Sequence, residues 1–425
     1  MWYDKVVFLF KNKDLRKKFI FVLFLFVVFR IAANVPIPGL GLENLKRFFA
    51  ENQVFGLLNI FSGGALSNFS IVLLGVGPYI TATIILQLLT MIFPALEKMY
   101  KEEGEAGRHK FNQYGRLLTI PFSALEGYGI LTLFSRQGVI TGLTPLVMLA
   151  SIITIVAGAM FLMWLGEIIT EQGIGNGISL LIFAGIIAQL PSNIFQTFVT
   201  FDPSQIPSYI LFFALSIVII AGVVLITEAR RNIPVSYAKR VRGNKMYGGV
   251  STYLPLNVNP AGVIPIIFAL SLLLFPGMIA GFLGGVPGIV GSVATNAAAF
   301  FNNAWVHGVL YFILVVVFTY FYTAVTFDPK TISENLQKMG GFIPGVRPGK
   351  STGDFLAHIL NRVLFTGALS LGLIAILPNI VAGVTGVRGF TFLIGGTSLL
   401  IIVSVVLDTL RQINAQMQMR EYDTF

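Results

Sequence analysis

Apolar residues run in long blocks along this chain, and charged residues gather in the gaps between the blocks. A helical membrane span needs about 17–25 predominantly apolar residues. Ten spans are predicted, at roughly 19–36, 76–94, 116–136, 145–168, 175–195, 207–228, 258–277, 305–327, 359–381 and 389–411. One block resists simple division. Residues 52–96 contain no Asp, Glu, Lys or Arg, which is too long an uncharged run for one span. Gly63, Gly64, Gly75, Gly77 and Pro78 interrupt it. The pattern predicts that its second part crosses the membrane while its first part dips in and folds back. Irregular backbone survives at membrane depth only where protein or a water-filled cavity shelters it. The block therefore predicts a cavity inside the bundle, a short mobile segment sitting in it, and a hinge from Gly75 to Pro78.

Charge settles the topology. Of the 29 Lys and Arg residues, all but Arg30, Lys46, Arg47, Arg136 and Arg388 fall on one side when ten spans are threaded. Basic loops stay in the cytoplasm, so both termini are expected there. Making residues 52–96 a two-span hairpin would throw every later basic loop outside. Promoting the glycine-rich stretch 277–300 to a span would misplace the basic loop that follows it, so that stretch reads as an external loop. Residues 1–10, with Trp2, Tyr3 and Phe8, suit the membrane interface. The run from Phe19 to Phe29 is closed by Arg30 without a cleavage site, and so reads as an uncleaved first span. The ten spans divide near residues 196–206 into sets of five, 1–200 and 201–425. An odd number per set gives opposite orientations, the plan of inverted repeats.

Composition agrees and excludes much. The chain is 55% hydrophobic and 11% charged, with mean hydropathy +0.81 and net charge +10, where a soluble domain carries about a quarter charged residues. It has no Cys and only three His, His109, His307 and His358. Thiol chemistry is excluded, and no metal or cofactor site is expected. An intramembrane enzyme lacks a plausible His, Cys or paired-carboxylate set. Gly345 and Gly349 before Lys350 mimic a phosphate loop. One residue too few separates them and no strand is expected before them, so energy must come from a partner or a gradient.

Other features carry paired readings. Ile80 and Ile84, and again Ile182 and Ile186, lie at i, i+4 and share a helix face. Such isoleucines face lipid or core in most spans; the sharper reading is a hydrophobic constriction that blocks ions by dewetting. Thr81, Thr83, Gln87 and Thr90 line the second span, as interhelical glue or as a separable interface. Arg30 and Glu126 sit within spans and should face protein or water. Thr170-Glu-Gln-Gly-Ile-Gly-Asn-Gly-Ile-Ser179 reads as a compact connector whose glycines permit φ > 0 and close helix approach. Two long basic loops, 229–257 and 328–358, exceed what topology needs and suit docking onto an acidic partner or RNA phosphates.

At this point the strings acquire a family. Pro78-Tyr-Ile-Thr-Ala-Thr-Ile84, Trp164-Leu-Gly-Glu with 170–179, and Glu228-Ala-Arg-Arg-Asn-Ile-Pro-Val-Ser-Tyr-Ala-Lys-Arg240 resemble the SecY family. So do Ser251-Thr-Tyr-Leu-Pro-Leu256, Ala261-Gly-Val-Ile-Pro265, Phe342-Ile-Pro-Gly-Val-Arg-Pro-Gly349 and Gly395-Gly-Thr-Ser-Leu-Leu-Ile401. The resemblance covers essentially the whole chain. It implies an all-α polytopic membrane protein, with two pseudo-inverted five-helix halves around a central pore that conducts unfolded polypeptides. The family's pore ring would fall on Ile80, Ile84, Ile182, Ile186, Ile267 and Ile401. Its plug, a short helix closing the external side of the ring, would comprise Asn59, Ile60, Phe61, Ser62, Gly63, Gly64, Ala65, Leu66, Ser67, Asn68, Phe69 and Ser70. Its lateral gate, between the second and third spans on one side and the seventh and eighth on the other, would include Gln87 and Thr90. Lys239, Arg240, Arg242, Lys245, Arg347 and Lys350 would serve docking. The implied partners are the small subunits SecE and SecG, the SecA motor, the ribosome, signal sequences, nascent secretory or membrane proteins, and lipids. The implied location is the bacterial cytoplasmic (inner) membrane. A secondary transporter is the competing reading. It should carry a polar or charged midplane site, where this chain would place isoleucine.

Overall fold

The computed structural model describes residues 12–38, 62–136, 138–140, 142–199, 203–237, 240–242, 245–247, 251–283, 288–385 and 396–422. Helices stand at all ten predicted spans. The first five are α1 (Lys13–Ala32), α2 (Gly77–Ile92), α4 (Gly104–Arg136), α5 (Pro145–Glu171) and α6 (Gly177–Val199). The next five are α7 (Ile206–Glu228), α8 (Ile264–Leu283), α10 (Ala304–Thr326), α12 (Lys350–Thr385) and α13 (Gly396–Tyr422). Among the described residues, 6 helices are long and apolar enough to cross a membrane, or up to 7 if α2 and the short α3 (Pro94–Lys101) are one bent span. That bend, 111°, falls at Phe93. Pro94 explains it, because the residue before proline is pushed out of the helical region, and Phe93 lies at φ −107°, ψ 108°.

On α1, exposed and inward faces separate. Ile20, Leu23, Phe24, Val27 and Ile31 are exposed while Val22, Leu25 and Phe29 are buried, the helical period of a span with one packed side. Several helices overrun their apolar blocks: α4 begins at Gly104 rather than 116, and α12 at Lys350 rather than 359. Hydropathy marks membrane thickness, whereas backbone hydrogen bonds continue into water until a cap or breaker intervenes.

Two expectations need correction. The stretch 277–300 is not simply a loop. The helix α8 continues to Leu283, and α9 (Ile289–Asn302) is a further helix of 14 residues. At about 1.5 Å per residue it is short of the roughly 30 Å hydrocarbon core, so it adds no span to those predicted. The long basic loops also contain strands, which helical periodicity did not anticipate. These are β1 (Arg230–Tyr237), β2 (Arg240–Arg242), β3 (Lys245–Tyr247), β4 (Ser251–Asn257) and β5 (Gly341–Phe342).

Two sheets result. β2 pairs antiparallel with β3, and a three-stranded sheet has the order β4-β1-β5. Arg230 faces Asn257 and Ser236 faces Ser251 across one edge, while Ser236 and Tyr237 face Phe342 and Gly341 across the other. The two loops, distant in sequence, are thus one unit. Ile233, Val235 and Leu256 from the sheet pack with Leu336, Ile343 and Leu356 in a separate small core. Leu336 belongs to α11 (Pro329–Lys338), capped by Asp328, which accepts from Lys330 N at 3.0 Å and from the Thr331 hydroxyl at 2.6 Å.

Within the membrane bundle, α1, α2, α4, α5 and α6 pack on one another, as do α7, α8, α10, α12 and α13. The two groups meet along two lines: α8 against α2 and α4, and α13 against α6.

Candidate functional site

The six isoleucines come from four helices: Ile80 and Ile84 on α2, Ile182 and Ile186 on α6, Ile267 on α8 and Ile401 on α13. All are buried, and all belong to one continuous apolar cluster. Both lines of contact between the helix groups run through this cluster. Isoleucine suits such a centre. Branching at Cβ leaves a stiff side chain with few rotamers, and it offers a passing chain no hydrogen-bonding group.

The irregular segment before α2 lies against this centre. Among its predicted residues, Asn59, Ile60 and Phe61 fall outside the described residues. From Ser62 to Phe69 the backbone forms successive turns rather than the expected short helix. Gly63 and Gly64 explain the difference, since both hold positive φ, at 68° and 85°, which helix excludes. The two glycines also allow close approach. A Cβ on Gly63 would lie 2.9 Å from Gly185 Cα on α6, and one on Gly64 would lie 3.1 Å from Gln189 Nε2. Gly185 is next to Ile186, so the segment touches the isoleucine centre from the side.

The shelter that this segment finds is protein. Ala65, Leu66, Phe69, Ser70, Val72 and Leu73 are almost wholly buried. Phe69, itself at φ 45°, meets the ring of Phe134 edge-on at 5.3 Å. The Ile71 carbonyl lies so near α5 that a Cβ on Gly158 would sit 1.9 Å from its oxygen. The predicted hinge residues mark a sharp change of backbone: Gly75 has φ 59°, Gly77 opens α2 and Pro78 follows.

Arg30 acquires a purpose that its isolated position in a span did not reveal. Its Nη1 donates to the Gly63 carbonyl at 2.6 Å, tying α1 to the segment. Asn68 Nδ2 donates to Asn34 Oδ1 at 3.1 Å nearby. Glu126, buried on α4, is hydrogen-bonded to Thr81 of α2. The two in-span charges are therefore accounted for separately and form no relay.

The polar stripe on α2 is mostly turned inward on its own helix. Thr83 donates to the Ile80 carbonyl at 2.9 Å and Thr90 to that of Gln87 at 2.6 Å. These bonds satisfy the hydroxyls without joining neighbouring helices. Gln87 Oε1 is buried with no hydrogen-bond partner among the described residues, which costs about 1–3 kcal/mol. The α2–α8 contact is thus weakly held by polar groups.

On the second long basic loop, Arg347 and Lys350 are exposed. Arg347 sits on a tight loop whose φ values at Gly345 and Gly349 are 84° and 93°. The loop is pinned at both ends: Ser333 Oγ donates to the Gly349 carbonyl at 2.6 Å, and Thr352 Oγ1 to that of Arg347 at 2.8 Å. Ile343 anchors it in the small core. Arg240 and Arg242 lie on β2, with Arg242 opposite Lys245 of β3; Lys239 lies outside the described residues.

Known proteins resemble the chain throughout. A family model described as SecY matches residues 70–410. A protein translocase subunit SecY of Streptomyces galbus is 44% identical over 434 residues, covering 98% of each chain. A solved protein-conducting channel aligns over 93% of this chain and 91% of its own, with TM-score 0.65 and 21% identity. Sec61 from a canine ribosome-channel complex of the endoplasmic reticulum aligns over 93% and 91%, with TM-score 0.60 and 20% identity. The last two likenesses concern the fold.

Proposed function

The chain belongs to the SecY family, and from that premise we propose that it is the channel subunit through which unfolded polypeptides cross the membrane and apolar helices leave it sideways. The observation that carries this reading is the meeting of Ile80, Ile84, Ile182, Ile186, Ile267 and Ile401 in one buried cluster where the two helix groups touch. A chain in transit needs a wide path, while ions must be refused. A ring of apolar side chains serves both needs. It fits around any sequence without hydrogen-bonding to it, and a dry constriction excludes ions.

Residues 59–70 act as the plug. The contact of Gly63 with Gly185 supports this, because it sets the segment beside Ile186. Gln87 and Thr90 line the lateral gate, a role favoured by the scarcity of polar ties between α2 and α8. Once that seam parts, an apolar segment in the pore meets lipid, and transfer is favoured by about 0.3–0.6 kcal/mol per central Leu, Ile, Phe or Val. The halves 1–200 and 201–425 move against each other in this motion, consistent with their separate internal packing.

Directionality comes from a partner. Lys239, Arg240, Arg242, Lys245, Arg347 and Lys350 form the docking surface for the SecA motor or the ribosome. The joining of both loops in one sheet supports a shared surface. SecE and SecG accompany the chain in the bacterial cytoplasmic membrane, with both termini inside.

The test is site-specific crosslinking of a stalled secretory chain. A photoreactive residue at 80, 186 or 401 should capture it, and one at lipid-exposed Leu225 should not. Capture at 225 with none at the three pore positions would refute the central path.

A further inference from the structure

The ten-residue string at 170–179 is more elaborate than a connector between α5 and α6 requires. Thr170 Oγ1 donates to the Gly166 carbonyl at 2.8 Å and accepts from Gly177 N at 2.9 Å. Asn176 Oδ1 accepts from Ser179 N at 3.1 Å and caps the start of α6. Gly177 is locked against α5, since a Cβ there would lie 1.8 Å from the Gly166 carbonyl oxygen. A short turn so constrained is rigid.

The outer surface of this turn is occupied by the other half of the molecule. Gln416, on the cytoplasmic extension of α13, donates through Nε2 to the Gly173 carbonyl. Gly173 has φ 73°, and a Cβ there would lie 2.7 Å from that same Nε2. A Cβ on Gly175 would lie 3.3 Å from Thr409 Oγ1. Ile401, Val405, Thr409 and Gln416 follow one broad face of α13, at helical spacing. The residue that α13 gives to the isoleucine cluster and those that it gives to the turn therefore lie along one stripe.

The two lines of contact between the helix groups thus differ in kind. On the α2–α8 side, the Thr83 and Thr90 hydroxyls are satisfied within α2, Thr81 bonds Glu126 of the same half, and Gln87 Oε1 has no partner among the described residues. On the α13 side, a hydrogen bond and two glycines, Gly173 and Gly175, fit one half into a preformed socket on the other. When two halves separate, the less tied side opens and the more tied side serves as the axle.

We propose that the turn 170–179 is a socket in which α13 pivots while the lateral gate opens, with Gln416 as the positioning residue that keeps Ile401 in register with Ile182 and Ile186. This goes beyond the channel reading and rests on it. Because the chain has no Cys, labels can be placed at will. In the full channel with its partner subunits, the pair Glu171→Cys and Ala415→Cys carries spin labels across the socket. The pair Leu88→Cys and Leu272→Cys carries them across the seam. On engaging a signal-bearing substrate, the seam distance should lengthen while the socket distance stays unchanged. Lengthening at both would overturn the pivot and leave the channel reading intact. A seam that never parts would overturn both. In addition, Gln416→Glu sets a carboxylate against the Gly173 carbonyl. It should broaden the socket distances and raise resting ion conductance by up to about tenfold, the effect of one net hydrogen bond. An unchanged socket distribution in Gln416→Glu would remove Gln416 from the positioning role.

Discussion

The tie between Arg30 and the proposed plug segment offers a quantitative test. Arg30 Nη1 meets the Gly63 carbonyl at 2.6 Å. A hydrogen bond to a charged group contributes about 1.5–3 kcal/mol. If the contact exists only when the segment is seated, its loss shifts the seated-to-displaced ratio by roughly ten- to hundredfold. Arg30→Met keeps much of the side-chain length and removes the charge and every donor. Removing a charge from a span relieves desolvation, so the variant should insert and accumulate at least as well as the parent. The assay is single-channel conductance of the purified complex in planar bilayers, without substrate. The open fraction should rise by about ten- to hundredfold, while Arg30→Lys, which keeps a donor, should fall between. A conductance in Arg30→Met equal to that of the parent would refute the idea that this bond holds the segment in place.

Other consequences are briefer to check. Replacing Ile80 and Ile401 by Asn should loosen the closed state and allow export of proteins with weakened signal sequences. If such variants still reject weak signals in an export assay, the ring assignment is wrong. Arg347→Glu should reduce motor- or ribosome-stimulated transport while leaving membrane insertion of the chain itself normal; full stimulation would exclude Arg347 from docking. The Thr331 hydroxyl, followed by the backbone N–H groups of Lys330 and Thr331, holds the Asp328 carboxyl below its ordinary value of 3.8. Its folded value is depressed, so its stabilisation of α11 is full above about pH 3.8 and is lost as pH falls through the lower folded value. Asp328→Ala should cost the cap roughly 1 kcal/mol at neutral pH, read as faster amide exchange at Lys330; equal exchange rates would show that the cap contributes nothing.

Much of this molecule was legible one segment at a time. A bilayer of fixed thickness tests each segment locally, so apolar length located the helices, and flanking Lys and Arg predict which way they face. The break in 52–96 was written in Gly63, Gly64, Gly75 and Pro78, because φ > 0 and a missing N–H act on their own neighbourhood. The pairs Ile80 with Ile84 and Ile182 with Ile186 followed from helical spacing alone. That these two pairs, Ile267 and Ile401 were parts of one centre came from the family strings, not from periodicity. Short strands such as β1 escaped notice because their alternation of Ile233 and Val235 is brief and basic residues surround it.

What the sequence could not hold was the relation between distant segments. Helices in lipid gain no hydrophobic energy from choosing one neighbour over another, so partners are chosen by shape and by matched polar groups. Only the assembled bundle brings Arg30 to Gly63, Thr81 to Glu126 and Gln416 to Gly173, and only the folding together of the two basic loops joins β1 to β5. The sequence located the apolar helices, because apolar length answers to the membrane segment by segment. The tertiary structure decided which halves touch, and how firmly on each side, because that depends on where glycines allow two backbones to meet.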